Sequence, residues 1–153
     1  GGDEETFQKV KPLLETVGKT VILQGGPGAG QHTKMANQIA VAGNLLGTVE
    51  ALIYAKNAGL DPKHVLLSIA NGAAQSWQLS NNALRMLERN FDPGFYSKHF
   101  LKDLRIALDS AHAMHVELPM LTLSERLFAK MVNDGMGELG TQAIYLLYER
   151  GLA

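Results

Sequence analysis

Apolar residues recur along most of this chain at steps of three and four, the spacing of helices that each bury one face. Between about residues 28 and 58, Met35, Ile39, Ala42, Leu46, Val49 and Ile53 form one such seam and predict a single long central helix. A second stripe on that helix, Ala36, Ala40, Gly43 and Gly47, consists of small residues and predicts deep burial against a closely approaching backbone. Asp61-Pro62 supplies an N-cap and a first-turn proline for a short helix through Val65, Leu66 and Ile69, closed at Asn71-Gly72. Further helices are predicted through Trp77, Leu84 and Leu87, through Leu101, Leu104, Leu108 and Ala111, from Pro119 through Leu127 and Met131, and from Thr141 through Leu147. Trp77, at helical spacing with Leu84, reads as core, with the lining of a cleft as the alternative; Asp92-Pro93-Gly94 reads as a turn, and the glycine-rich NDGMGELG as the break between the last two helices.

The opening differs from the rest. Asp3 can cap a helix carrying Phe7, Val10, Leu13, Leu14 and Val17, kinked at Pro12 and ended by Gly18, and residues 20–23 then read as a strand. One strand cannot satisfy its own backbone, so it implies a sheet whose other strands are not in this sequence. The expected fold class is mainly α: an all-helical bundle built on one long helix, preceded by a short helix-strand remnant of another domain that holds the rest of the sheet. The expected division is residues 1–27 and 28–153.

Composition narrows the function. The 153 residues are 46% hydrophobic and 19% charged, as in an ordinary globular chain, and the mean hydropathy is −0.03. Fourteen basic against 15 acidic side chains leave a net charge of −1, which offers no footprint for nucleic acid or for an anionic membrane. The longest uncharged stretch, residues 35–49, reads as too short for a membrane span. With no cysteine, disulfides, thiolate metal sites and cysteine nucleophiles are excluded, and the chain reads as cytoplasmic.

Candidate chemistry concentrates in GGPGAGQHTKMANQ, residues 25–38, where a glycine-rich turn feeds the long helix. A phosphate-binding P-loop would need lysine at position 31, where this chain has Gln31, with Lys34 almost a helical turn later. The glycines could serve the turn alone, leaving Lys34 a solvated charge. Against that, Asn37, Gln38 and Asn44 follow Lys34 on one face, and a polar row on an apolar helix needs hydrogen-bonding partners. Such a row suits a wet cleft that faces a substrate. His112, His115 and Glu117 lack the H-E-x-x-H spacing of a zinc site and read as a solvated helix face, so no metal is expected.

GAGQHTKMANQIAVAGNLLGTVEAL closely resembles the segment that carries the catalytic lysine in the β-hydroxyacid dehydrogenases of the 3-hydroxyisobutyrate dehydrogenase and tartronate semialdehyde (2-hydroxy-3-oxopropionate) reductase type. Asp92-Pro93-Gly94-Phe95 with Lys102-Asp103-Leu104 resembles the same family's later signature. The resemblance implies Lys34 as the catalytic residue and Asn37 and Gln38 as substrate-binding. It further implies Lys102, with Phe95 and Asp103, as residues that contact NAD or NADP. Some family members have Asn where this chain has Gln38, a longer amide. A small 3-hydroxy or 3-oxo carboxylic acid is the implied substrate, and a homodimer or homotetramer through the helical domain the implied assembly. The resemblance also implies a dinucleotide-binding Rossmann domain ahead of the helical one, with residues 1–27 as its remnant and residues 28–153 as the catalytic and dimerisation domain; no G-x-G-x-x-G follows a strand here, so the cofactor would be bound mainly by that other domain and the chain alone would be inactive. The alternative is a stand-alone helical dimerisation or interaction module without catalysis.

Overall fold

The structure, a computed structural model, describes residues 1–151; Leu152 and Ala153, the end of the expected second domain, lie outside the described residues. It divides into two compact units, Gly1–Asn37 and Gln38–Ala153, so the division falls within the long helix.

In the first unit, α1 (Glu4–Leu14) begins where the Asp3 carboxylate accepts the Thr6 amide at 2.8 Å, with Glu4 and Glu5 suited to the positive end of the helix. Its regular turns end four residues before the expected Gly18, through main-chain bonds from Glu15, Thr16 and Val17 back to Lys11, Leu13 and Leu14. None of its side chains is buried: Val10, Leu13 and Leu14 are exposed, and Val17 beyond the helix is 86% exposed. The strand expected at residues 20–23 does not form, because no second segment among the described residues offers its backbone a ladder. A glycine turn follows, tied to the start of the chain by the Gly2 amide on the Gly25 carbonyl at 2.9 Å. Gly28, with φ +92°, reverses the chain in a conformation that penalises any residue with a Cβ, and α2 (Ala29–Asn57) starts directly after it.

The second unit holds the core. Along α2 the buried side chains are Gln38, Ala42, Leu45, Leu46, Thr48, Val49, Leu52 and Ala55. At 29 residues α2 is long and apolar enough to cross a membrane by length and composition, contrary to the expectation from residues 35–49, yet this buried face is that of a core helix. It closes with Gly59 at φ +75°, the Leu60 amide reaching back to the Ala55 carbonyl and that of Gly59 to Lys56. Next come α3 (Pro62–Ile69), capped by Asp61 on the Lys63 amide as its sequence predicts, and a widened helical turn (Gln78–Asn82) leading into α4 (Ala83–Leu87). α5 (Ser97–Ala113) packs on α6 (Pro119–Met131), with the Phe100 and Phe128 rings edge to face at 4.9 Å. After a break at Gly135, a tight turn (Thr141–Ala143) opens α7 (Ile144–Glu149).

Two expectations about the core are corrected. Trp77 is 64% exposed and Leu84 is also exposed, because the widened turn before α4 rotates the face that an ideal helical spacing would bury. The small-residue stripe is not deeply buried either: Ala36, Ala40 and Gly47 are exposed, and Gly43 lies against the Met120 side chain.

Candidate active site

Lys34 lies near the start of α2, five residues after the glycine turn delivers the chain into the helix. Its side chain and that of Asn37 are exposed, while Gln38 is only 3% exposed. One helix therefore carries the three expected residues, with the lysine and the last amide a single turn apart.

Within the second unit, Gln38 meets α5. Its Nε2 donates to Oδ2 of Asp103 at 2.7 Å, and Oδ1 of the same carboxylate pairs with the Lys102 ammonium at 2.8 Å. Asp103 is 8% exposed, and its carboxylate anchors two of the other expected residues. A carboxylate only accepts hydrogen bonds, so the Gln38 amide turns its nitrogen toward Asp103. The longer reach of glutamine brings that nitrogen to α5. The Lys102 side chain is 65% exposed and presents a cation at the surface beside this buried pair.

Phe95 stands partly exposed just before α5, its ring edge-on to Phe100 at 5.9 Å. The turn that carries it is held by residues that sequence reasoning did not single out, Arg85 and Gln142, whose side chains donate to carbonyls of residues 90 and 92. Gln142 lies 50 residues from Asp92, a separation that leaves no local signal. Ser97, at the start of α5, has a fully buried hydroxyl with no hydrogen-bond partner among the described residues.

Other titratable groups serve the frame. Burial raises the Glu149 carboxyl, but hydrogen bonds and charge from Arg89 and Lys56 outweigh it and hold the group below its ordinary value. Burial, then a hydrogen bond to Glu50 and that group's charge, pushes the Tyr148 phenol up. His112 and His115 are both exposed, and His115 sits beyond the helix with φ +57°. Among the described residues no three metal-binding side chains gather. Three surface cavities, of about 380, 430 and 280 Å³, lie beside His112, Leu67 and Glu149 respectively, and none is lined by Lys34, Asn37, Gln38 or Lys102.

Comparison with known proteins gives the class to which this helical chain belongs. A sequence family described as "NAD-binding of NADP-dependent 3-hydroxyisobutyrate dehydrogenase" matches residues 28–148, and the chain belongs to this family of NAD(P)-dependent 3-hydroxyacid dehydrogenases. It is 49% identical over 148 residues to an uncharacterized oxidoreductase of Bacillus subtilis, YkwC, covering 97% of this chain and 51% of that protein. It is 42% identical over 144 residues to 2-hydroxy-3-oxopropionate reductase of Escherichia coli, covering 94% of this chain and 49% of that enzyme. The structure of Mycobacterium tuberculosis 3-hydroxyisobutyrate dehydrogenase with L-serine matches with a TM-score of 0.89 at 26% identity, over 97% of this chain and 53% of that one. The chain thus spans about half the length of the curated relatives it matches.

Proposed function

We propose that this chain is the lysine-bearing half of an enzyme that moves a hydride between NAD(P) and a 3-hydroxy acid of the 3-hydroxyisobutyrate or 2-hydroxy-3-oxopropionate type. The observation that carries the reading is the succession Lys34, Asn37, Gln38 on one helix behind a glycine turn, in a member of that dehydrogenase family. Residues 1–27 are then the end of a dinucleotide-binding domain, which accounts for the exposed apolar side of α1 and the unpaired residues 20–23. On its own the chain is inactive. The helices of the second unit join two or four copies, and the enzyme works in the cytoplasm.

Oxidation of an alcohol removes a hydride from carbon and a proton from oxygen. The nicotinamide cofactor, when bound, takes or supplies the hydride. Lys34 carries the proton, as base toward the hydroxyl and as acid toward the carbonyl, a contribution of about 10² to 10⁴ in rate once the other half of the protein excludes water around it. Asn37 and Gln38 orient the acid. The residues present fit the cofactor: Lys102 offers an exposed cation for its phosphates, and Phe95 offers a partly exposed aromatic ring. Asp103 acts from within, fixing Gln38 and Lys102 at once.

The test joins this chain to the amino-terminal half of the Bacillus subtilis relative. The joined protein is expected to consume NADH or NADPH with 2-hydroxy-3-oxopropionate, or to reduce NAD or NADP with 3-hydroxyisobutyrate. A folded joined protein that turns over neither acid with either cofactor would leave the non-catalytic helical module as the better account.

A further inference from the structure

The turn at residues 92–95 has little apolar anchorage, since Asp92, Pro93 and Gly94 are exposed and Phe95 is only partly covered. Hydrogen-bond donors aimed at its carbonyls hold it instead. Gln142 is 1% exposed, and its Nε2 donates to the Asn90 carbonyl at 3.1 Å and the Asp92 carbonyl at 3.0 Å, which occupies both amide protons. Arg85 donates to the same Asp92 carbonyl and to Oδ1 of Asn90. The main chain completes the clamp: the Gly140 amide reaches the Phe91 carbonyl at 2.9 Å and the Thr141 amide the Phe95 carbonyl at 3.1 Å. Just past the turn, the Ser97 amide donates to the Leu139 carbonyl at 2.9 Å.

Gly140 is what lets Gln142 reach the turn. A Cβ at position 140 would lie 2.3 Å from Oε1 of Gln142 and 2.8 Å from its Cδ and Nε2, inside any allowed contact. The side chain folds back over a bare backbone toward residues 90 and 92.

We propose that Gln142, folded over Gly140, is a positioning residue that sets the turn at residues 92–95, and through it Phe95 and the start of α5, for the nicotinamide cofactor. This rests on the reading of Phe95 and Lys102 as cofactor residues. Gln142 acts by fixing the turn that presents the aromatic ring and leads into the helix bearing Lys102. A buried amide with two committed donors holds a backbone more tightly than an exposed turn can hold itself.

The experiment measures steady-state kinetics of the joined protein carrying Gln142→Leu, which keeps the side chain's bulk and removes both donors. The KM for the cofactor is expected to rise about tenfold, with kcat changed less than about threefold and the KM for the hydroxy acid unmoved. Lys102→Ala is run beside it. If Lys102→Ala raises the cofactor KM and Gln142→Leu does not, the positioning role is overturned while the cofactor reading stands. If neither Lys102→Ala nor Phe95→Ala moves it, the cofactor reading falls and takes this proposal with it. Should Gln142→Leu fail to fold, Gln142→Glu decides, because a carboxylate donates to neither carbonyl whereas a protonated carboxyl, with its one O–H, restores a bond to one of them. Its cofactor KM relative to the parent is expected to fall toward one as pH is lowered; a ratio that does not respond to pH overturns the proposal.

Discussion

Helices α1 and α5 carry equally clear amphipathic patterns, yet α1 buries no side chain while α5 buries Phe100, Leu101, Leu104, Ala107 and Ala111. Both have their local requirements met, α1 through the Asp3 cap and α5 through main-chain bonds from Ser97 and Lys98 to residues 139 and 137. What differs is the presence of a facing element. Periodicity tells which side of a helix seeks burial, and only the rest of the molecule decides whether anything covers it.

The contrast can be broken first at its strong end. Phe128→Ala, at the ring pair that joins α5 to α6, is expected to cost about 3–5 kcal/mol in a denaturant titration of this chain. A loss under 1 kcal/mol would mean that the second unit does not rely on this core. Less costly is acidification. The folded-state Glu149 carboxyl lies below its ordinary value of 4.5, so its contribution is complete above that value and is lost as pH falls through the folded one. Melting temperature should therefore drop with acid, and more steeply in the parent than in Glu149→Gln. A smaller change, in the opposite direction, is expected of His115→Gly. The left-handed backbone after α5 penalises histidine, and glycine there should raise stability by about 1 kcal/mol. The smallest effect belongs to the first unit: Val17→Ser, at an exposed position, should stay within about 0.5 kcal/mol in this chain. In the joined protein, where a covering half is supplied, the same change should cost about 1 kcal/mol or more, and equal costs in the two settings would remove the idea that this apolar face is covered there.

Much of the fold was legible in the sequence. The caps at Asp3 and Asp61, the proline starts at Pro62 and Pro119, and the long seam from Met35 to Ile53 all mark real helices, because capping and periodicity are local properties. The failures have separate physical causes. Trp77 and Leu84 were misread because a widened turn shifts the helical phase, and the stripe from Ala36 to Gly47 because small residues permit close packing without requiring it. In the candidate site, the residue types on α2 could be read directly, whereas the Gln38–Asp103 pair and the Gln142 clamp join distant segments and needed the structure.

The most direct measurement is the turnover of the joined protein with Lys34→Ala. At saturating cofactor and acid, kcat should fall at least about 100-fold while the melting temperature stays that of the parent, as expected when a proton carrier is deleted from an exposed helix position. Undiminished turnover by a folded Lys34→Ala protein would contradict the assignment of the proton transfer to this residue.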